Sequence, residues 1–207
     1  MSVLTNKEIK EYIEKGDIYI SDFDEDQLSN TSYDVTLGEF FYKESKNMDY
    51  YNPYNKESVL STWEFCQAKS GYENIPGIDK DNKIIILNPG ETILAHTNEY
   101  IGARKNATTM MKAKSSMGRS FIEVCKCAGW GDVGYINRWT MEITNNSKNH
   151  IIPLIVGKKI AQIIFFKTND LLDNTSYEVK GHYQESCDID FLIKNWTPES
   201  MLPKLYK

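Results

Sequence analysis

Between Lys83 and Lys167 the chain is a succession of short apolar segments broken by Gly, Pro and Asn, and no other feature restricts its fold as much. Ile84-Ile-Ile-Leu87 is wholly apolar. Asn88-Pro-Gly-Glu91 after it is a turn, with Pro setting φ and Gly permitting φ > 0. Strand character resumes over 92–97 and is expected again at 108–113, 121–125, 139–145, 150–156 and 159–166. Short strands punctuated in this way build sandwiches and barrels. Upstream, Tyr33, Val35 and Leu37 alternate with polar residues, which predicts a half-buried strand over 32–38 ending in a turn at Gly38. The first fifteen residues read as a helix. Thr5 is its N-cap with Glu8 at capping-box spacing, Ile9, Tyr12 and Ile13 share a face, and Gly16 stops it. Residues 43–82 are rich in Asn, Tyr, Lys, Ser and Asp and read as an inserted excursion, not a separate domain. The expectation is one mainly β domain over 1–207 with an N-terminal helix.

Charge limits the partners. There are 24 Lys+Arg against 29 Asp+Glu, a net charge of −5, which argues against bulk electrostatic binding of long nucleic acid. A protein so charged that handles phosphates needs a local cluster of donors, with a divalent cation to help. No apolar run approaches the roughly 18–20 residues that span a bilayer, and no early hydrophobic stretch reads as a secretory signal, so a cytoplasmic protein is expected. Cys66, Cys125, Cys127 and Cys187 are then most simply free thiols.

Residues suited to chemistry concentrate between Lys112 and Asn145. Lys114-Ser-Ser-Met-Gly-Arg119 sets two cations and two hydroxyls around a glycine, a set that can hold phosphate oxygens or simply form a polar turn. In Gly129-Trp-Gly-Asp-Val-Gly-Tyr135, Asp132 can grip a sugar hydroxyl or cap its own turn, and Tyr135 can lie against a sugar or base. Along Trp139-Thr-Met-Glu-Ile-Thr-Asn145, alternation puts Trp139, Met141 and Ile143 on one face and Thr140, Glu142 and Thr144 on the other. If that second face lines a cavity instead of meeting solvent, Glu142 is a candidate general base. The zinc deaminase signature, His-x-Glu with Pro-Cys-x-x-Cys, does not occur. Cys125 and Cys127 are better read as core residues than as ligands.

Six segments in order resemble the dCTP deaminase / dUTPase superfamily, in its dCTP deaminase branch, over about residues 5–186. They are Ser32-Tyr-Asp-Val-Thr-Leu-Gly38, Asn88-Pro-Gly-Glu91, Lys114-Ser-Ser-Met-Gly-Arg119, Ala128-Gly-Trp-Gly-Asp-Val-Gly-Tyr135, Met141-Glu142 and Gly157-Lys-Lys-Ile-Ala-Gln162. The resemblance implies a distorted, jelly-roll-like β-barrel (dUTPase-like), assembled as a homotrimer with active sites at subunit interfaces. It implies hydrolytic deamination of dCTP to dUTP with release of ammonia, with the further cleavage to dUMP left open. A dUTP diphosphatase alone, or a nucleotide-sensing protein on the same fold, are the alternatives.

By the same resemblance, Lys114, Ser115, Ser116 and Arg119 bind phosphates. Asp132 and Tyr135 hold the deoxyribose, and Ala128 joins the substrate site. Lys180 and Gln184 close over the nucleotide. Glu142 is the general acid/base, oriented with its water by Arg119, and Asp132 positions water in any diphosphatase step. Mg²⁺ sits on the triphosphate, held by no protein side chain, and zinc is not used. Two departures stand out. Lys114 replaces an Arg common in relatives, and Asn137 replaces a Gly, a position where Asn tolerates left-handed backbone.

Overall fold

The capping box forms as the spacing predicts. In the computed structural model the Glu8 N–H donates to the Thr5 hydroxyl at 3.4 Å, and the Thr5 N–H donates to the Glu8 carboxylate at 2.8 Å. Such reciprocal bonds satisfy two of the N–H groups a helix leaves open at its start. The structure describes residues 2–45, 50–72, 75–126, 128–172, 175–177, 181, 183–184, 186 and 188–207.

In chain order the elements begin with β1 (Ser2–Val3), α1 (Asn6–Glu14), β2 (Ile18–Ile20), β3 (Ser32–Glu44), α2 (Lys56–Thr62) and β4 (Trp63–Gln67). Next come β5 (Ile84–Leu87), β6 (Thr92–Ala103), β7 (Ala107–Ala113), α3 (Ser115–Arg119), β8 (Ile122–Val124) and β9 (Trp130–Gly131). The series closes with β10 (Ile136–Asn145), β11 (Ile152–Ile155), β12 (Lys159–Lys167), α4 (Ile189–Asn195) and a 3-10 turn at Pro198–Met201. Among the described residues, β8-β10-β6-β3-β12-β7-β9 lie side by side in that order. To these β1 adds on β12, β2 on β6 and β4 on β3, while β5 and β11 make a separate pair. The antiparallel sheet curls into a half-barrel, so the mainly β expectation holds. No helix among the described residues is long and apolar enough to cross a membrane.

The inner face of the curl is the main core. Val35 and Leu37 of β3, Ile93, Ala95 and Ile101 of β6, Met141 and Ile143 of β10, and Ile163 and Phe165 of β12 are all buried there, with Ile9 of α1. Burying side chains of this size contributes on the order of 1.5–3 kcal/mol each.

Gly38 is not a turn, which corrects the expectation that the strand ends there. β3 runs through it to Glu44, and a Cβ at Gly38 would collide with the His96 ring. The residue is small because a buried imidazole occupies the space beside it. His96 Nδ1 lies 2.8 Å from the Thr97 carbonyl, and its Nε2 accepts from the Phe40 N–H at 3.3 Å. Burial pushes the imidazole pKa down to about 4, so it is neutral near pH 7.

The 43–82 excursion is part of the sheet. β4 pairs with the end of β3 from Phe40↔Gln67 to Glu44↔Trp63, while α2 supplies Val59 to a second apolar cluster. That cluster contains Tyr42, Leu94 and, from the far end of the chain, Met201 and Leu202. It lies on the outer face of the sheet, so β6 is buried from both sides where it passes the excursion.

Candidate active site

β10 settles the question its alternation leaves open. Trp139, Met141 and Ile143 are in the main core, at 3%, 0% and 0% exposure. Thr140 and Glu142 face outward into a cavity of about 740 Å³. Glu142 lies across from Leu94 of β6, and its Oε2 is buried with no hydrogen-bond partner among the described residues. Desolvation raises its pKa above the usual 4.5, partly opposed by its own backbone N–H and by the Lys126 ammonium. A carboxylate taken out of water and left unsatisfied is poised to exchange a proton.

The rest of the cavity comes from three places. Ala128, Trp130, Gly131, Asp132 and Tyr135 line one side. Gly131 passes so close to β7 and β10 that a Cβ there would strike Thr109 and the Trp139 ring. The turn from Asp132 to Tyr135 closes with the Tyr135 N–H donating to the Asp132 carbonyl at 3.0 Å, and Gly134 takes the positive φ of 99°. Asp132 itself is exposed at the cavity edge. Tyr135 is wedged edge-on between Trp139 at 5.3 Å and Tyr177 at 5.2 Å, and burial raises its hydroxyl pKa. The excursion contributes Tyr51, Pro53, Thr62 and Trp63, and the C-terminal segment Ser200, Met201, Pro203 and Leu205.

Not every residue singled out from the sequence reaches this cavity. Glu142, Asp132, Tyr135 and Ala128 line it; Lys114, Ser115, Ser116 and Arg119 do not. Those four lie at α3, where Ser115, Ser116 and Arg119 are exposed. Lys114 is already engaged, donating to both Asp34 oxygens at 2.7 and 2.8 Å, with Lys159 3.4 Å from the same carboxylate. Gln184 is buried. Its Oε1 accepts from the Ile136 N–H at 2.8 Å and its Nε2 donates to the Gly134 carbonyl at 3.0 Å, which pins the chain end to the Asp132 turn. Lys180 lies outside the described residues. Asn137 does not adopt left-handed backbone; it is an extended residue of β10, with Nδ2 donating to the Tyr183 carbonyl at 3.3 Å.

Two cations in the cavity were not foreseen. Lys126 donates to the Thr92 hydroxyl at 3.3 Å on the Glu142 face, and Arg138 lies toward the other end of β10. Arg138 sits at a break in register, where Thr97, Asn98 and Glu99 of β6 oppose Trp139 alone. Arg138 lies one residue ahead of the strand expected over 139–145, and the only signal for it was that it continues the outward face of Thr140 and Glu142. Among the described residues no group of three or more His, Cys, Asp or Glu side chains could hold a metal.

A family model described as dCTP deaminase-like matches residues 3–168. The chain is 28% identical to a dCTP deaminase, dUMP-forming, from Methanosphaerula palustris, covering 80% of this chain and 81% of that one. It is 32% identical to the protein of the same name from Hydrogenobaculum sp., over 82% and 84% of the two chains. Among solved structures, the 2'-deoxycytidine 5'-triphosphate deaminase of Agrobacterium tumefaciens superposes with a TM-score of 0.58 at 18% identity, which is evidence for a shared fold alone. That match covers 85% of this chain, which spans 51% of the Agrobacterium chain.

Proposed function

The chain belongs to the dCTP deaminase-like family, and on that premise we propose that it deaminates dCTP by hydrolysis and carries the product on to dUMP. The observation that carries this reading is Glu142, a desolvated carboxylate on the cavity floor with an unpartnered oxygen. As carboxylate it takes a proton from water, and the resulting hydroxide adds to C4 of the cytosine ring. Glu142 delivers that proton to N3, takes a second from the new C4 hydroxyl as it becomes a carbonyl and passes it to the amine, the C4–N bond breaks, and ammonia leaves behind a uracil. The deoxyribose rests by Asp132 and Tyr135, with Ala128 bordering the base. The second step, water attack on the phosphate chain positioned by exposed Asp132, accords with relatives named dUMP-forming.

The phosphates are taken by Ser115, Ser116 and Arg119 of α3, with Lys114 held by Asp34 to set the start of that helix. Since α3 does not line the cavity of its own chain, the reading includes a homotrimer in which a neighbour's α3 faces Glu142 and Arg119 orients the water. Lys180 would complete the closure pinned by Gln184. Mg²⁺ is expected on the triphosphate. The scattered cavity carboxylates Asp132, Glu142 and Glu44 suit an ion carried by phosphate oxygens, where it offsets their charge.

The test is to incubate the protein with dCTP and with dUTP separately and to measure ammonia and pyrophosphate. Ammonia and pyrophosphate from dCTP are expected. Pyrophosphate from dUTP with no ammonia from dCTP would make the protein a diphosphatase, and tight binding without product would make it a sensor.

A further inference from the structure

Arg138 lines the same cavity as Glu142, and no motif places it there. Its guanidinium lies 5.1 Å from the Tyr100 ring and 4.8 Å from the Trp196 ring, while its Nε donates to the Asn98 carbonyl at 3.2 Å. Among the described residues it has no carboxylate partner, and its two terminal nitrogens make no hydrogen bond. Aromatic faces on a guanidinium fix its plane and leave its N–H edge free, the arrangement that suits bidentate contact with an oxyanion.

Position along β10 says which part of a nucleotide this edge would meet. Arg138 and Glu142 are four residues apart on one strand, about 13 Å at a strand's rise per residue. The Asp132–Tyr135 turn enters β10 at the Arg138 end. With the base at Glu142 and the sugar by that turn, the phosphates run toward Arg138. Beyond it lies a second cavity of about 390 Å³, which shares Asn137, Tyr183 and Ser200 with the first. Among the described residues its lining includes Lys56, Lys204 and Lys207, with Glu199 as the acidic side chain. Lys114, the cation expected to serve phosphates, is ion-paired with Asp34.

We propose that Arg138 is a substrate-binding residue that grips the polyphosphate from within the subunit that supplies Glu142. The inference rests on the nucleotide reading above. It is tested by binding without turnover, read from the fluorescence of the cavity tryptophans Trp63 and Trp130, with dCTP, dCDP, dCMP and deoxycytidine as the probes. Arg138→Gln should weaken dCTP binding at least about tenfold, with a deficit that shrinks as phosphates are removed and vanishes for deoxycytidine. Equal weakening for all four probes, or no weakening, overturns the proposal. Trp196→Leu separates the two roles of the side chain: if it reproduces the full phosphate-dependent loss, Arg138 is only a latch for the chain end and the proposal falls. Should Arg138→Gln not fold, Arg138→Lys carries the test, because a point charge in place of a fork should weaken dCTP binding severalfold and leave deoxycytidine unchanged. Wild-type protein that binds none of the four overturns the functional reading and this one together, whereas binding with a phosphate-independent deficit overturns this one alone.

Discussion

β10 and α3 carry equally suggestive residues, yet the fold treats them in opposite ways. β10 passes through the sheet with one face in the main core, so its outward side chains are held on a rigid floor and Glu142 loses water. α3 is five residues long, with Ser115, Ser116 and Arg119 exposed and none of them at the cavity. The difference teaches that a complete set of residue types in one chain does not amount to a complete site in one subunit. On the reading proposed above, a second copy of the chain brings the halves together.

The hardest blow to that comparison comes from the floor. Glu142→Gln should lower ammonia release about 10²–10⁴-fold while nucleotide binding persists. The same change should stabilise the protein near neutral pH. A folded pKa raised above the unfolded one means the native state binds the extra proton, so wild-type stability falls as pH rises through the folded value, and the variant lacks that fall. Thermal melts across pH check the second half of the prediction. A variant that keeps turnover would leave the floor without its chemistry.

The other half is probed by Arg119→Ala, expected to cost about 10²-fold in kcat/KM. Mixing this variant with Glu142→Gln under conditions of subunit exchange should restore about a quarter of wild-type activity, because some interfaces then pair an intact α3 with an intact floor. No recovery despite exchange would break the divided site.

Smaller effects concern what holds each region in place. Lys114→Met leaves Asp34 with Lys159 as its ion partner among the described residues and should cost about 2–3 kcal/mol in denaturant unfolding, with the KM for dCTP nearly unchanged. A large rise in KM would return Lys114 to the phosphate site. Near the floor, wild-type stability should decline by about 3 kcal/mol as pH falls from 6.5 toward 4. His96 binds protons more readily when unfolded over that window, so the unfolded state gains as acid is added, and His96→Gln should flatten the slope. The smallest shift is in the pH profile. Lys126→Met removes a charge that favours ionised Glu142, so the acid limb of kcat/KM, already above that of an ordinary carboxylate, should move higher still.

Local chemistry alone accounted for the helix at Thr5 and most of the strands, since capping and alternation act over a few residues. It misread Gly38, because the residue that demands a glycine there is His96, distant in the chain and adjacent in space. Asn137 was misread for a similar reason. Gly134 already supplies the positive φ of the turn, and Asn137 instead reaches Tyr183. The excursion gave little pattern because its contribution is one strand on an existing sheet and one small cluster whose other members lie near residue 200.

The order of motifs was therefore enough to establish which family of chains this is and which carboxylate to suspect, because residue type and spacing are properties of the chain. Whether Glu142 meets solvent or a cavity, whether Lys114 is free, and where Arg138 points were decided by tertiary structure alone. Burial and charge pairing depend on neighbours that come together only when the sheet curls and the chain end folds back over its outer face.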